Sequence, residues 1–446
     1  MSQRALILLV VVVTVLLLVS VEADLWSDHR SPRHYHYNST LLSSLRIAHA
    51  GEIELDETSS PTVRMSPHAL RDVYERQLLS RRRLQVRPDA SGRPTYSFKV
   101  GARWRSAEEG RAYLADRMDD VVRSTTVGAE ARARNLLRDG GVARLLDEVG
   151  GLRTNAARRI YLEAASRADG LRRDQAVDII RTAGRELTSS SRLRETLTGL
   201  AETLPAAWGL AAPLAEAASE IASSSEKGDA LRDIVRLRPI EPADAPAVAA
   251  AVSTIASTSE KGRTITAIHR LAPSTELATA LLESADGLES SSERRRVLTE
   301  LVAAPRLSEA AWARALDVAS GIASTADKAH ALTALISSAE PTARGCREWL
   351  LSTGEVVSSS LSADLLVEAA VRCPNEDDVW RAYLRRTERL GASGDQRRAL
   401  LALLDRAGLS ETVRTELVAA AERGIASRSD RQAVLDRVAT VGPSDG

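Results

Sequence analysis

Histidines near the N-terminus form the one local cluster of metal-ligand side chains in the sequence. The run HRSPRHYHYNST contains His29, His34 and His36, interleaved with Tyr35 and Tyr37. Imidazoles two residues apart on an extended strand point the same way, and neutral imidazole is a good ligand for transition metals. No cysteine or ordered acid accompanies them, which favours a solvated linker over a metal site. The sequence therefore predicts no metal and no cofactor, and it assigns no role to these histidines.

The chain has two cysteines, Cys346 and Cys373. The first lies near the start of one predicted helix, and the second lies at the end of the next. These two ends are neighbours in an antiparallel hairpin, so a disulfide is geometrically allowed, and an oxidising compartment would preserve it. The alternative, which the sequence leaves open, is a pair of reduced cysteines buried as small hydrophobic side chains.

Motifs that mark an enzyme are absent from the sequence. None of the seven histidines stands four residues from another, which excludes the H-E-x-x-H zinc motif. Nucleophile elbows, phosphate-binding loops and dinucleotide fingerprints are absent as well. The 60 basic and 60 acidic residues balance, so the net charge gives no case for nucleic-acid binding. The sequence therefore favours a non-catalytic protein whose partner is not a nucleic acid.

The strongest pattern in the chain is a repeat of 33 to 35 residues. Near-copies of the phrase SSSEKGDALRDIV begin at Ser223, Ser257, Ser290 and Ser324. The serines are expected to cap the helix that follows, and prolines separate most units. A period of this length predicts stacked helical hairpins, because a single hairpin cannot bury its apolar face alone.

The repeats align on one residue, called the anchor, that opens the second helix of each hairpin. Apolar or small residues follow at offsets of four, five and eight, which lie on one face of an α-helix. The anchors are Ala157, Arg192, Glu226, Glu260, Glu293, Asp327, Leu361, Asp395 and Asp430. The predicted fold is thus mostly α, a right-handed α-solenoid of about nine hairpins with a period near 34 that spans residues 141–442.

Two smaller regions are predicted before the solenoid. Apolar and polar residues alternate in residues 44–102, which predicts a small β-rich domain with a hairpin around the turn Pro88–Gly92. Residues 69–79 fit a strand or a helix equally well. Residues 106–140 are expected to form a helical cap that begins with Ser106 as its N-cap.

The N-terminal segment, residues 1–23, predicts export. Arg4 precedes an uncharged, largely apolar run of 17 residues, Ala5–Val21, and acids follow the run. This charge order favours an orientation with the N-terminus inside and the rest of the chain outside the cytoplasm. The run suits either a signal peptide cleaved near Ala23 or a hydrophobic helix that stays as a membrane anchor. Residues 24–43 are then expected to be a polar linker.

Three stretches of the helical region carry a resemblance to a known class. They are GAEARARNLLRDGGVARLLDEVGG (Gly128–Gly151), RRIYLEAAS (Arg158–Ser166) and SSSERRRVLTEL (Ser290–Leu301). The region is similar to HEAT-like α-solenoids, and more narrowly resembles a repeat region of bacterial exported proteins. The same region forms the extracytoplasmic tail of some membrane metallopeptidases related to the β-lactam sensor-transducers. The resemblance implies the appended domain, because the protease half with its zinc motif is missing.

Four tryptophans follow the proline positions in the predicted first helices: Trp208, Trp312, Trp349 and Trp380. Packing between repeats explains most of them, whereas any that lie exposed on the repeat surface would be anchors for a partner. The sequence thus predicts an exported, membrane-tethered scaffold that binds a protein or peptide in the cell envelope. The alternatives are an accessory component of envelope proteolysis or signalling that acts with a separate metallopeptidase, and a structural spacer. The oligomeric state stays open.

Overall fold

The computed structural model describes residues 34–39, 43–55, 62–77, 80–303, 307–338, 341–406 and 408–440. Within them the chain is mostly helical, with a small antiparallel sheet followed by twenty α-helices in a repeated arrangement compatible with an α-solenoid. The chain divides into two compact units, and the boundary between them in the sequence falls between Tyr161 and Leu162. No helix in this part of the chain is long and apolar enough to span a bilayer. The predicted hydrophobic helix of residues 5–21 lies outside the described residues.

The first unit contains eight described strands: β1 (His34–Ser39), β2 (Ser43–Ala50), β3 (Ile53–Leu55), β4 (Thr62–Met65), β5 (Leu70–Gln77), β6 (Ser80–Pro88), β7 (Pro94–Val100) and β8 (Arg103–Arg105). They form a six-stranded antiparallel sheet in the order β1-β2-β5-β6-β7-β8, and a two-stranded sheet of β3 and β4. Strands that follow each other in sequence also pair in space, so the large sheet is a meander interrupted by the β3–β4 hairpin.

The predicted hairpin around Pro88–Gly92 is confirmed. Leu84 pairs with Phe98, and Val86 pairs with Tyr96, so their side chains share the buried face of β6 and β7. The Asp89 carboxylate closes the turn by accepting the backbone N–H groups of the residues two and four positions later, at 2.8 and 2.9 Å. Aspartate is suited to this role because its short side chain reaches its own turn.

Two strands depart from the sequence-based expectations. Residues 70–77, which fit a strand or a helix equally, form β5 and bury Arg71 and Glu75 beside Val73 on the inner face. These buried charges hide the apolar alternation that marks a half-buried strand. Part of the expected linker, residues 34–39, forms β1 and pairs with β2.

Three helices complete the β-rich part of the first unit: α1 (Ala107–Asp116), α2 (Met118–Ser124) and α3 (Ala129–Val149). Ser106 caps α1 as predicted, with Glu109 completing a reciprocal capping box. The chain breaks helical geometry inside α3 at Gly141, where φ is 67°. Gly110 lets α1 approach the sheet, because an added Cβ would lie 3.0 Å from the Cβ of Phe98.

Residues from Asn155 onward form pairs of helices. The helix α4 (Asn155–Ser166) contains the boundary between the two units. The first helices of the pairs that follow are α5 (Arg173–Glu186), α7 (Ala211–Ser219), α9 (Ala245–Ser253), α11 (Thr275–Ala285), α13 (Glu309–Ser320), α15 (Ala343–Ser352), α17 (Asp377–Thr387) and α19 (Glu411–Gly424). The second helices are α6 (Ser190–Thr203), α8 (Ser224–Leu237), α10 (Thr258–Leu271), α12 (Ser291–Val302), α14 (Thr325–Ser338), α16 (Ser359–Arg372), α18 (Ser393–Leu404) and α20 (Arg428–Thr440).

These helices form two layers within the second unit. Each first helix packs against the next first helix, and each second helix packs against the next second helix. The offsets predicted to be buried are buried: Ala230, Leu231 and Ile234 of α8 have no exposed surface. In α20 the corresponding Leu435 and Val438 are partly exposed, since α20 packs on a single neighbour of its layer in the described chain.

Candidate functional site: the first-helix face of the repeats

Serines at the turn between the two helices of a repeat satisfy the backbone and join neighbouring repeats. The predicted capping is confirmed: the Ser223 and Ser257 hydroxyls each accept the backbone N–H three residues later, at 3.4 Å. The next serine acts across the junction. The Ser224 hydroxyl accepts the backbone N–H of Ser257 in the following repeat, at 3.2 Å. The same bond recurs at four other junctions, between 3.1 and 3.3 Å, with acceptors Ser190, Ser291, Ser359 and Ser393.

Ion pairs join the second helices in the same register. Arg194, two residues after its own anchor, contacts the next anchor Glu226 at 2.6 Å, and Arg295 contacts Asp327 at 2.8 Å in the same way. In the repeat with anchor Glu226, the residue two positions after the anchor is Gly228. The carboxylate of the next anchor, Glu260, occupies the space that a Cβ on Gly228 would need. The second helices therefore pair many of their own charges, and partly buried pairs of this kind hold register between neighbours.

The side chain directly after the anchor donates hydrogen bonds near the C-terminus of a first helix. Lys227 is buried, and its ammonium donates to the carbonyl and hydroxyl oxygens of Thr254 at the C-terminus of α9, at 3.3 and 2.8 Å. Burial lowers the pKa of this ammonium. Arg294 donates to the Leu288 carbonyl at 2.7 Å in its own repeat. Such contacts satisfy carbonyls that helix ends leave without partners.

Three first-helix segments in the middle of the array carry acids without any basic residue, unlike the second helices. Residues 206–220, 241–256 and 272–287, which contain α7, α9 and α11, hold seven acids and no lysine or arginine. This bias is readable in the sequence once the helix pairs are assigned, but net charge conceals it because basic residues on the second helices restore the balance. The middle of the first-helix face is therefore acidic and rich in alanine.

A groove of about 790 Å³ lies on this face between α9, α11 and the start of α13. We call it the acidic groove. Its two carboxylates, Glu276 and Glu283, lie seven residues apart on α11, which places them about 10 Å apart along one side of the helix. Both are exposed, and neither forms an ion pair within the described residues. The remaining lining residues are Pro246, Ala249, Ala250, Ser253, Thr275, Thr279, Ala280, Ser284 and Ser308.

Hydrogen bonds fix the floor of the acidic groove. The Ser253 hydroxyl donates to the Ser284 hydroxyl at 3.0 Å, which in turn donates to the Ala249 carbonyl at 2.8 Å. This chain of bonds joins α9 to α11 across the repeat boundary. The floor is thus preformed, so a ligand would not have to order it.

Three of the four tryptophans lie in the core. Trp349 and Trp380 are fully buried, and Trp312 is 5% exposed, so none of them presents a face to a partner in this structure. The Trp349 indole donates to the Leu332 carbonyl at 3.0 Å. Their burial follows from position, because they lie on the inner side of the first helices. The half-exposed Trp208 lies on a short 3-10 turn before α7.

The two cysteines are joined by a disulfide within one helix pair. Cys346 lies in the first turn of α15 and Cys373 is the C-cap of α16, with 5.9 Å between their Cα atoms. Both side chains are at most 1% exposed. The disulfide therefore joins the start of α15 to the end of α16, the two ends of this hairpin that the turn between the helices does not connect.

The N-terminal histidines give no metal site that the structure describes. His29 lies outside the described residues, and His34 and His36 lie on β1, where their side chains are not described. In the part of the chain that is described, no three His, Cys, Asp or Glu side chains are grouped to hold a metal ion.

The chain matches no known protein-family model, and no curated protein is significantly similar to it. The resemblance to bacterial exported repeat regions thus stays a prediction from the sequence, and the function has to be argued from the geometry of the repeats.

Proposed function

We propose that this protein is an exported, membrane-tethered repeat scaffold that binds a protein or peptide partner in the cell envelope and catalyses no reaction. Residues 141–442 would form a right-handed α-solenoid of about nine hairpins. The acidic groove carries this proposal, because it combines a preformed floor with exposed carboxylates that have no ion-pair partner among the described residues.

The division of roles between the two layers supports a binding function. Polar groups of the second helices and of the serine turns bond to neighbouring repeats, so those surfaces maintain the stack. The first helices in the middle of the array contribute small side chains and exposed acids. Repeat proteins commonly bind partners on such a surface, since its exposed residues can differ without disturbing the core.

The disulfide supports a location outside the cytoplasm. Disulfides persist in oxidising compartments, whereas cytosolic thiols are kept reduced. The Cys346–Cys373 bond is consistent with the apolar run Ala5–Val21, which predicts export with either cleavage or anchoring. Fractionation and N-terminal sequencing of the mature protein would test both points. A reduced, cytosolic protein that starts at Met1 would contradict this part of the proposal.

Capture of the partner tests the binding function. The full chain with a C-terminal affinity tag would be cross-linked in cells and purified from detergent-solubilised envelopes. We expect a specific protein or peptide that rebinds the purified chain in calorimetry. A variant that lacks residues 226–292 keeps the serine–anchor phrase intact at the joint and removes two repeats, including the acidic groove. A spacer would tolerate this deletion, whereas a receptor would lose its partner.

The identity of the captured protein decides between the two functional hypotheses. Recovery of a multi-span metallopeptidase would favour an accessory role in envelope proteolysis over a general scaffold. Absence of any protein that rebinds the purified chain would contradict the proposed function.

A further inference from the structure

We infer that the acidic groove binds an extended segment of a partner protein that carries lysine or arginine side chains. The inference rests on the proposed function and names the chemistry of the partner. It starts from the two exposed carboxylates, Glu276 and Glu283, and from the alanine-rich floor between them.

The charges around the groove select a cationic ligand. The residues that line the groove include two carboxylates and no lysine or arginine. Next to the groove, Arg314 of α13 already has an acidic partner, because it lies 3.9 Å from Asp286 at the end of α11. A phosphate, a nucleic acid or an anionic lipid surface would be repelled by this field, whereas a basic segment would be attracted.

The shape of the groove favours an extended chain. Neighbouring packed helices have axes 8–10 Å apart, and a docking helix with side chains is about 10–12 Å across. An extended backbone is narrower and can lie against Ala249, Ala250 and Ala280. The small floor residues allow close approach, and Ser308 at the N-cap of α13 closes one side.

The spacing of the carboxylates sets the spacing of the basic residues. Glu276 and Glu283 are separated by about 10 Å along α11. A polyproline II segment rises about 3.1 Å per residue with three residues per turn, so side chains three apart lie on one face about 9 Å apart. Two lysines at positions i and i+3 of such a segment would therefore each reach one carboxylate.

Fluorescence anisotropy with the full chain tests the inference. The probe is a fluorescein-labelled peptide of sequence KPPKPPK, and the peptide EPPEPPE is its charge-reversed control. We expect the lysine probe to bind at low ionic strength, to bind more weakly as salt is added, and the glutamate peptide not to bind. Failure of the lysine probe to bind at millimolar protein would overturn the inference.

Matched variants separate the groove from overall charge. Glu276→Gln with Glu283→Gln should weaken probe binding about tenfold, because two exposed ion pairs are lost. Glu411→Gln with Glu422→Gln removes the same charge from exposed first-helix positions outside the groove and should change binding less than about twofold. Equal losses in the two double variants would show delocalised attraction and refute a site in the groove.

A single substitution gives a second test that keeps the helix intact. Ala280→Arg places a cation four residues after Glu276 and three before Glu283, where it would pair with both within α11. It should abolish probe binding, whereas Ala280→Gln, of similar length, should retain it. If the natural partner still binds the Ala280→Arg chain at full affinity, the scaffold function stands and the groove assignment fails.

Discussion

Removing the Cys346–Cys373 disulfide should destabilise one helix pair by an amount set by the loop that it closes. The two residues are separated by 27 positions. The chain-entropy relation then gives about 3.5 kcal/mol of stabilisation at 25 °C, through restriction of the unfolded chain. Because both cysteines are buried, the Cys346→Ala and Cys373→Ala variant also loses a small amount of packing.

The assay is urea unfolding combined with native-state hydrogen exchange, since long repeat arrays need not unfold in one step. The oxidised protein would be compared with the same protein under reductant, which leaves the sequence unchanged. We expect amides of α15 and α16 to lose about 2–4 kcal/mol of protection, while those of α5–α8, several repeats away, change little. The distant helices serve as the internal control.

Two results would refute the reasoning. Free thiols in the oxidised, folded protein would show that the disulfide does not form. A loss of protection below about 0.5 kcal/mol in α15 and α16 would show that the closed loop does not limit the unfolded ensemble.

Three further predictions concern the repeat junctions and a buried histidine. Ser224→Ala removes the acceptor of the Ser257 N–H and should lower the free energy of unfolding by about 1 kcal/mol. Ser225→Ala should lower it less, because among the described contacts its hydroxyl reaches only the capping Ser223 hydroxyl. The midpoints of urea unfolding compare the two variants. Arg238→Met should cost about 2 kcal/mol, since this buried side chain donates to the Leu200 and Leu204 carbonyls, and the exposed Arg236→Met is its control in thermal unfolding. Burial is the largest influence on the pKa of His269 and lowers it, while Glu300 raises it and Arg270 lowers it, so its contribution to stability is present above pH about 6.5 and is lost as the pH falls. The slope of stability against pH from 7.5 to 5 should therefore flatten in His269→Gln, by up to about 1.4 kcal/mol per pH unit, and an unchanged slope would exclude this site.

The helical part of the fold was predictable because two independent signals share one period. Serine clusters mark where the second helices start, and apolar residues at fixed offsets mark their buried face, as Leu231 and Ile234 show. The sequence did not reveal why serines come in threes. The first caps its own helix, and the second bonds to the next repeat, a contact that depends on the distance between neighbouring helices.

The β-rich region was harder to predict, since polar residues lie on the inner face of its sheet. Glu75 is 8% exposed and accepts hydrogen bonds from Tyr113 and Arg117, which are distant in sequence. A pattern-based assignment treats such a residue as solvent-facing, so β5 could not be distinguished from a helix. The partners that satisfy a buried charge are known only after the chain has folded.

The acidic groove was also missed in the sequence, for a different reason. Its acids and alanines look ordinary when read along the chain, and the aromatic residues drew attention instead. Three of the four tryptophans proved to be buried, whereas Glu276 and Glu283 became distinctive once α9 and α11 were placed side by side. A site formed by neighbouring repeats can be recognised only when the sequences of the first helices are aligned with each other, apart from those of the second helices.

Deletion of a single period tests the central claim, that stacked repeats with a common register build the second unit. Removing residues 260–292 joins Ser259 to Glu293 and keeps the serine–anchor phrase, whereas removing residues 260–276 breaks the register. By circular dichroism the first deletion should retain the helix content per residue and a cooperative thermal transition, with a lowered midpoint. The second should lose both. Equal loss of structure in the two deletions would contradict the account.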